Sequence, residues 1–300
     1  WAKRAGEGFV ELGPYNQQNA ISAMGTIAAR HETVINYERP IVECELLVDG
    51  SRFEGLIRPV VSGPTFAIRT KAQRIYTLGE YSQAGITSTK DDPLNHHRRT
   101  SHSFVDEVKA EGLDHTGIIK KAIKEKKSIL VVGATGSGKT TFANALLLEM
   151  AEVAPQDRIL IIEDTLELQC DVRNHVQLKA FGNVTMLDCL KACMRLKPTR
   201  IVVGEVRGAE ALTLLKSWNT GHPGGVATVH ANDAQAGLKR LEALIAEATA
   251  APSQTLIAEA VDLVVFIDEE ARLAAGRKVR EVMAVRGFDH TTMTYQVDYL

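Results

Sequence analysis

From Gly117 onward the chain alternates short continuous apolar runs with longer segments in which apolar residues return every three or four positions. A bounded apolar run reads as a strand buried on both faces, and the three-to-four recurrence reads as a helix with one buried stripe. The pattern predicts strands over residues 129–132, 159–163, 176–179, 201–204, 226–230 and 261–267. It predicts helices over residues 139–152, 185–196, 209–219, 234–248 and 254–260. Strand-like segments Lys278 to Val285 and Thr294 to Val297 close the chain. Such alternation specifies an α/β class with a mostly parallel sheet and helices on its faces.

The first 77 or so residues follow a different rhythm. Gly8 to Leu12 reads as a short strand and Asn16 to Ala29 as a helix. Ile41 to Val48 and Arg52 to Val61 read as a hairpin around Asp49-Gly50, and Phe66 to Arg69 adds a strand. Arg58 and Arg69 thereby fall on successive strands, each among apolar neighbours. Ser82 to Asp114 is polar and reads as a linker with one short helix, Ser103 to Glu111. His96, His97 and His102 have no carboxylate or cysteine frame around them, so they read as solvated linker rather than a metal site. The expected partition is an N-terminal α/β domain over 1–77, a linker over 78–116 and a nucleotide-binding domain over 117–300.

The chemistry begins where the apolar run Ile129 to Val132 meets Gly133-Ala134-Thr135-Gly136-Ser137-Gly138-Lys139-Thr140 and a helical pattern follows at once. Gly133, Gly136 and Gly138 let the backbone bend so that its N–H groups face inward at phosphates. Lys139 sets a cation against the β and γ phosphates, and the Thr140 hydroxyl is placed to ligand magnesium. The helix N-terminus adds partial positive charge. Strand, loop and helix in this order predict a site for ATP or GTP.

In an open parallel sheet, ligands gather at the carboxyl ends of the strands. Three predicted strands end in residues suited to phosphate chemistry: Glu163-Asp164-Thr165, Gly204-Glu205-Val206-Arg207 and His230-Ala231. Hydrolysis requires a magnesium ion held by Thr140 and a carboxylate, and a group that orients the attacking water. Glu205 has the position expected of a second nucleotide motif, Glu163 and Asp164 belong to a neighbouring strand, and His230 is suited to sense the phosphate or to bridge it to another subunit. Thr220-Gly221-His222-Pro223-Gly224-Gly225 is too glycine-rich for a helix and is expected to bring backbone close to ligand or to another subunit.

Composition narrows the choices. With 45% hydrophobic and 24% charged residues, 300 residues supply ample core. The net charge of −2 gives no footprint for bulk nucleic-acid binding, so no strong direct contact with nucleic acid is expected. No apolar stretch approaches the roughly 18–20 residues of a membrane span. Cys44, Cys170, Cys189 and Cys193 lack the paired spacing of a zinc set and read as small buried hydrophobes, a usage that fits a reducing compartment.

Taken in order, the phosphate loop, Ile162 to Leu168, Val203 to Gly208, and Thr220 to Gly225 running on to His230-Ala231 resemble the Walker A, Asp box, Walker B and His box of the type II/type IV secretion ATPases. Glu163 to Cys170 and Trp218 to His230 are especially similar to conjugal-transfer members. The resemblance implies a RecA-like domain with a smaller PAS-like N-terminal domain, and a hexameric ring on the cytoplasmic side of the inner membrane. It implies ATP hydrolysis with Mg2+ to drive pilus assembly or substrate transfer alongside other secretion components. By motif, Gly133 through Thr141, with Arg58, Arg69 and Arg207, hold the nucleotide. Thr140, Asp164 and Glu205 surround the metal, and Lys139, Glu163, Glu205 and His230 serve catalysis. The chain departs from that family pattern in two respects: the linker before the phosphate loop is longer and more polar, and the early part of the N-terminal domain is expected to be missing. Other readings are a type II secretion or pilus motor, although no Cys-x-x-Cys module is present. A small-molecule kinase leaves the His box unexplained, a nucleotide-dependent scaffold hydrolyses only incidentally, and a nucleic-acid translocase lacks a stacking platform.

Overall fold

The computed structural model describes residues 1–3, 7–71, 74–87, 101–251 and 253–300. His96 and His97 lie outside them, as do residues 88–100 of the polar stretch. The N-terminal part contains β1 (Ala2–Lys3) paired with β2 (Phe9–Val10), α1 (Gln17–Arg30), and an antiparallel sheet of β3 (Ile41–Glu45), β4 (Arg52–Leu56) and β5 (Thr65–Arg69). Met24 and Ala28 of α1 pack on Val42 and Phe53 to form a small core of their own. Helices α2 (Leu78–Gln83), α3 (Ser101–Glu111) and α4 (His115–Lys124) lead to the large sheet.

That sheet holds β6 (Ile129–Gly133), β7 (Ile159–Glu163), β8 (His175–Lys179), β9 (Arg200–Val203), β10 (Val226–His230), β11 (Leu263–Glu269), β12 (Arg277–Asp289) and β13 (Thr294–Tyr299). Their spatial order is β13-β12-β11-β6-β10-β9-β7-β8. Strands β11 to β8 in this order run parallel, and β12 and β13 add an antiparallel edge. The intervening helices are α5 (Lys139–Val153), α6 (Met186–Arg195), α7 (Glu210–Asn219), α8 (Ala234–Ala246) and α9 (Gln254–Ala260). Side chains along each strand alternate between two cores. Leu130, Val132, Leu160, Ile162, Ile201 and Val203 face α6 to α9, whereas Ile129, Val131, Ile159 and Ile161 face α3, α4 and α5.

The two parts of the chain meet through the segment after β4. Val60 and Val61 are buried in the first of these cores, each worth about 1.5–3 kcal/mol by side-chain burial. The Val60 carbonyl accepts from the Lys179 amide at 2.7 Å, and Tyr37 meets Phe181 edge-on at 5.8 Å.

Four expectations need correction. The hairpin does not turn on two residues: the Asp49 carboxylate accepts from the Ser51 amide at 2.9 Å, opening a longer loop between β3 and β4. Arg58 lies in a turn rather than on a strand, because β4 ends at Leu56 as the chain swings Val60 and Val61 into the core. Helix α4 was not expected; Gly117 sits in its first turn, where its amide is capped by the Asp114 carboxylate at 2.8 Å. Cys189 and Cys193 are buried, but Cys44 and Cys170 are only half-buried.

The edge opposite the phosphate loop is pinned by Arg200, which is fully buried. Its Nε donates to Asp157 at 2.7 Å, and its other nitrogens donate to the carbonyls of Gly224 and Ile123, each at 3.0 Å. The glycine-rich loop therefore closes on Arg200 and Trp218 within the chain, at the amino end of β10 and away from the phosphate loop. A Cβ at Gly225 would fall 2.1 Å from the Ile201 carbonyl oxygen.

Glu54 in β4 is 2% exposed, and its Oε2 has no hydrogen-bond partner among the described residues. Burial pushes its pKa up to about 8, opposed by Arg195 and reinforced by Glu43 across the strand pair. The folded chain therefore holds this proton where the unfolded chain releases it. The stabilisation is complete below the ordinary value of 4.5 and is lost as pH rises towards 8. The melting temperature is expected to fall across that window, and Glu54→Gln should flatten the fall. An equally steep fall in the variant would assign it to another group.

Candidate active site

The carboxyl ends of β6, β10, β9 and β7 lie side by side and bring the phosphate loop, His230, Glu205 and Glu163-Asp164 into one row. Gly133 closes β6 and is the register partner of His230. The chain then loops to Gly138, whose φ of +95° is one that glycine adopts readily, and α5 begins at Lys139. Helices α4, α6 and α8 start under carboxylate or hydroxyl caps, from Asp114, Thr185 and Asp233. Helix α5 has no side-chain cap, so its first amides face the loop and suit an anion. The cradle is tight: a Cβ at Gly133 would lie 2.4 Å from both the Ile267 carbonyl oxygen and Ser137 Oγ. Ser137 Oγ is itself buried without a partner among the described residues.

Lys139 is only 7% exposed, and burial, with Arg207 adding to it, draws its pKa below the ordinary lysine value. Its ammonium donates to the carbonyls of Gly133 at 3.0 Å and Ala134 at 2.8 Å, and lies 3.1 Å from His230 Nδ1. An ammonium only donates, so Nδ1 accepts and the proton of the neutral imidazole sits on Nε2. Nε2 lies 2.7 Å from Glu205 Oε1, an electrostatic contact off the hydrogen-bond direction. Arg207 then bridges Glu205 Oε2 and Asp164 Oδ2, each at 2.6 Å. Lys139, His230, Glu205, Arg207 and Asp164 thus form one polar chain across four strand ends. Thr228 fixes its middle, donating from its hydroxyl to the Gly204 carbonyl at 2.6 Å.

Glu163 stands apart from this chain. Its Oε1 accepts from the amides of Glu167 and Leu168, both at 2.9 Å, and Oε2 is buried with no partner among the described residues. Burial raises its pKa, with the two amides opposing. The Thr140 hydroxyl makes no hydrogen bond to another described residue and is half-buried at the start of α5.

Arg58 and Arg69 are not brought to the cradle of their own chain. Arg58 donates from Nε to the Ser62 carbonyl at 2.7 Å and lines a cavity of ≈ 280 Å³ with Leu166, Gln177 and Lys179 beside β8. Strand β8 is four strands from β6, about 19 Å at the usual spacing. Arg69 is exposed at the end of β5 and lines a cleft of ≈ 1390 Å³ with Arg158, Asn174 and His175. Those residues precede or begin β7 and β8, so Arg69 faces the opposite edge of the sheet. One residue at the loop had no signal in the sequence: Arg277, the first of β12, donates from Nη1 to Thr141 Oγ1 at 3.1 Å.

A parallel sheet with this loop at its carboxyl edge defines a P-loop nucleotide-binding α/β protein. The model of the family "Type II/IV secretion system protein" matches residues 98–290, and the chain belongs to that family. It is 43% identical over 286 residues to the conjugal transfer protein TrbB of Rhizobium radiobacter, covering 95% of this chain and 80% of that protein. It is 30% identical to the type IV secretion system protein VirB11 of Bartonella quintana over 74% of this chain and 66% of that protein. Among solved structures, the VirB11 ATPase of the Brucella suis type IV secretion system, in complex with sulphate, superposes with a TM-score of 0.76. It is 27% identical and covers 88% of this chain and 80% of that one. Among the described residues no helix is long and apolar enough to cross a membrane.

Gly204 decides where Glu163 sits, since a Cβ there would lie 2.9 Å from Glu163 Cγ. Gly204→Ala is expected to destabilise by about 1–3 kcal/mol through overpacking. At Gly208 a Cβ would meet only the carboxylate ends of Glu210 and Glu247, at 3.2 and 3.5 Å, and Gly208→Ala should cost less than Gly204→Ala, about 1 kcal/mol or under. Denaturant unfolding of both checks the contrast.

Proposed function

We propose that the chain is a magnesium-dependent ATPase that powers a type IV secretion or conjugative pilus machine as a hexameric ring. The observation that supports this reading most directly is the polar chain from Lys139 through His230 and Glu205 to Asp164, which begins at the phosphate loop. The capless α5 terminus, the tight glycine turn and the orphan Ser137 hydroxyl fit a polyphosphate. Thr140, Glu205 and Asp164 supply the hard oxygen donors that magnesium takes. When bound, that ion would neutralise charge on the β and γ phosphates.

The residues divide the work by position. Lys139 exchanges backbone carbonyls for phosphate oxygens, which frees His230 Nδ1. His230 then reports occupancy to Glu205, and Arg207 holds Glu205 and Asp164 at a fixed separation. Glu205, half-buried at the open end of β9, is the better placed carboxylate to orient water, and Glu163 positions the loop over residues 164–168.

Arg58 and Arg69 lie outside their own cradle, so in this reading they complete the site only across subunits. The N-terminal unit over 1–77 and the linker over 78–116 would carry that exchange. The ring would sit at the cytoplasmic face of the inner membrane beside other secretion components, as its resemblance to family members suggests.

Glu205→Gln tests the assignment. Loss of a group that orients or deprotonates water is expected to lower ATP turnover by about 10²–10⁴, with a melting curve to show that the variant folds. Turnover at the parent rate would overturn the assignment.

A further inference from the structure

Arg277 and Glu269 are directly opposite each other in the β11–β12 ladder. A cross-strand pair of opposite charge ordinarily closes on itself. Here it does not, and among the described residues Arg277 forms no ion pair with any carboxylate. Its guanidinium instead turns to the phosphate loop. Nη1 donates to Thr141 Oγ1 at 3.1 Å, and a Cβ placed on Gly138 would meet that same nitrogen at 2.3 Å. Nε is held by the Ala275 carbonyl at 3.3 Å, which aims the fork from behind. Across the loop Glu269 stands back, with Oε1 3.7 Å from a Cβ placed on Gly136. The hairpin thus straddles the cradle, resting its cation on the glycine at the helix start.

We infer that Arg277 is a nucleotide-binding residue, contributing a second cation at the end of the cradle where the phosphates pass to the nucleoside. Lys139 and Thr140 serve the β and γ phosphates and the metal. Thr141 is the next residue of the same helix turn, and in a phosphate loop the backbone cradles the α and β phosphates beside the lysine's reach to β and γ. An arginine already bonded to it presents its remaining donors there, and a guanidinium fork suits two phosphate oxygens. This contact is common to ATP and ADP, so Arg277 sets affinity for both and leaves discrimination between them to the γ-phosphate end. The inference rests on the nucleotide-site reading above.

The test is Mg·ADP titration of wild type, Arg277→Ala, Arg277→Lys and Lys139→Ala at two salt concentrations, with melting curves taken without nucleotide to show that each variant folds. The expected result is an affinity loss of about 10- to 100-fold for Arg277→Ala, equal for Mg·ADP and a non-hydrolysable Mg·ATP analogue. Partial recovery in Arg277→Lys and a weaker salt dependence in Arg277→Ala are also expected. Unchanged affinity in Arg277→Ala would overturn the inference. Tighter binding would overturn it too, making Arg277 a latch that nucleotide must displace. Failure of wild type to bind Mg·ADP would overturn the nucleotide reading and this inference together, whereas wild-type binding lost only in Lys139→Ala would overturn this inference alone.

Discussion

An ammonium group as deeply buried as that of Lys139 needs acceptors on every side, because removing a charge from water without partners carries a large penalty. Two of its acceptors are carbonyls of its own loop, so satisfying the charge also holds the loop in shape. The third is an imidazole nitrogen, and accepting there fixes the His230 tautomer. From that choice the order of the remaining groups follows: a proton facing Glu205, then Arg207, then Asp164. In the function proposed above, a nucleotide that offers Lys139 better oxygens would perturb every member of the row without any large motion of the sheet.

The sheet makes this row possible, and the row sets demands on the sheet. Parallel strands put all their carboxyl ends on one edge, and the order β6-β10-β9-β7 makes the four relevant ends neighbours. The opposite edge has to be held without competing for ligand. Arg200 does this with three donors spent on Asp157, Gly224 and Ile123. One edge is thus closed by a buried arginine with an acceptor for each of its three nitrogens, while the other keeps an exposed arginine, Arg207, between two carboxylates.

Most of the parallel core was legible in the sequence because it is written locally. Apolar runs located β6, β7, β9 and β10 to within about a residue, and the phosphate loop, Glu163, Glu205 and His230 each followed one of them. What was not legible depends on pairing at a distance. Strand order decides that His230, and not Glu163, meets Lys139. Arg58 sits between apolar residues, which suggested a strand, but those residues belong to a docking turn whose partner is β8. The burial of Glu54 likewise depends on distant partners, Glu43 across the β3–β4 pair and Arg195 at the end of α6. The glycine run was expected near ligand or subunit, and only the placement of Arg200 and Trp218 shows what its glycines accommodate. Arg277 matched no motif, and its contact with Thr141 arises from the register of β11 against β12.

The central claim is that nucleotide acts by taking Lys139 from its backbone acceptors. The most direct measurement is the structure of the chain with magnesium and a non-hydrolysable ATP analogue, read at one distance. Lys139 Nζ to the Gly133 carbonyl oxygen is 3.0 Å. The account predicts that this distance opens beyond hydrogen-bond reach, about 3.5 Å, with Nζ on phosphate oxygens and the His230 contact released. Nucleotide bound in the cradle with Lys139 still held by Gly133, Ala134 and His230 would contradict it.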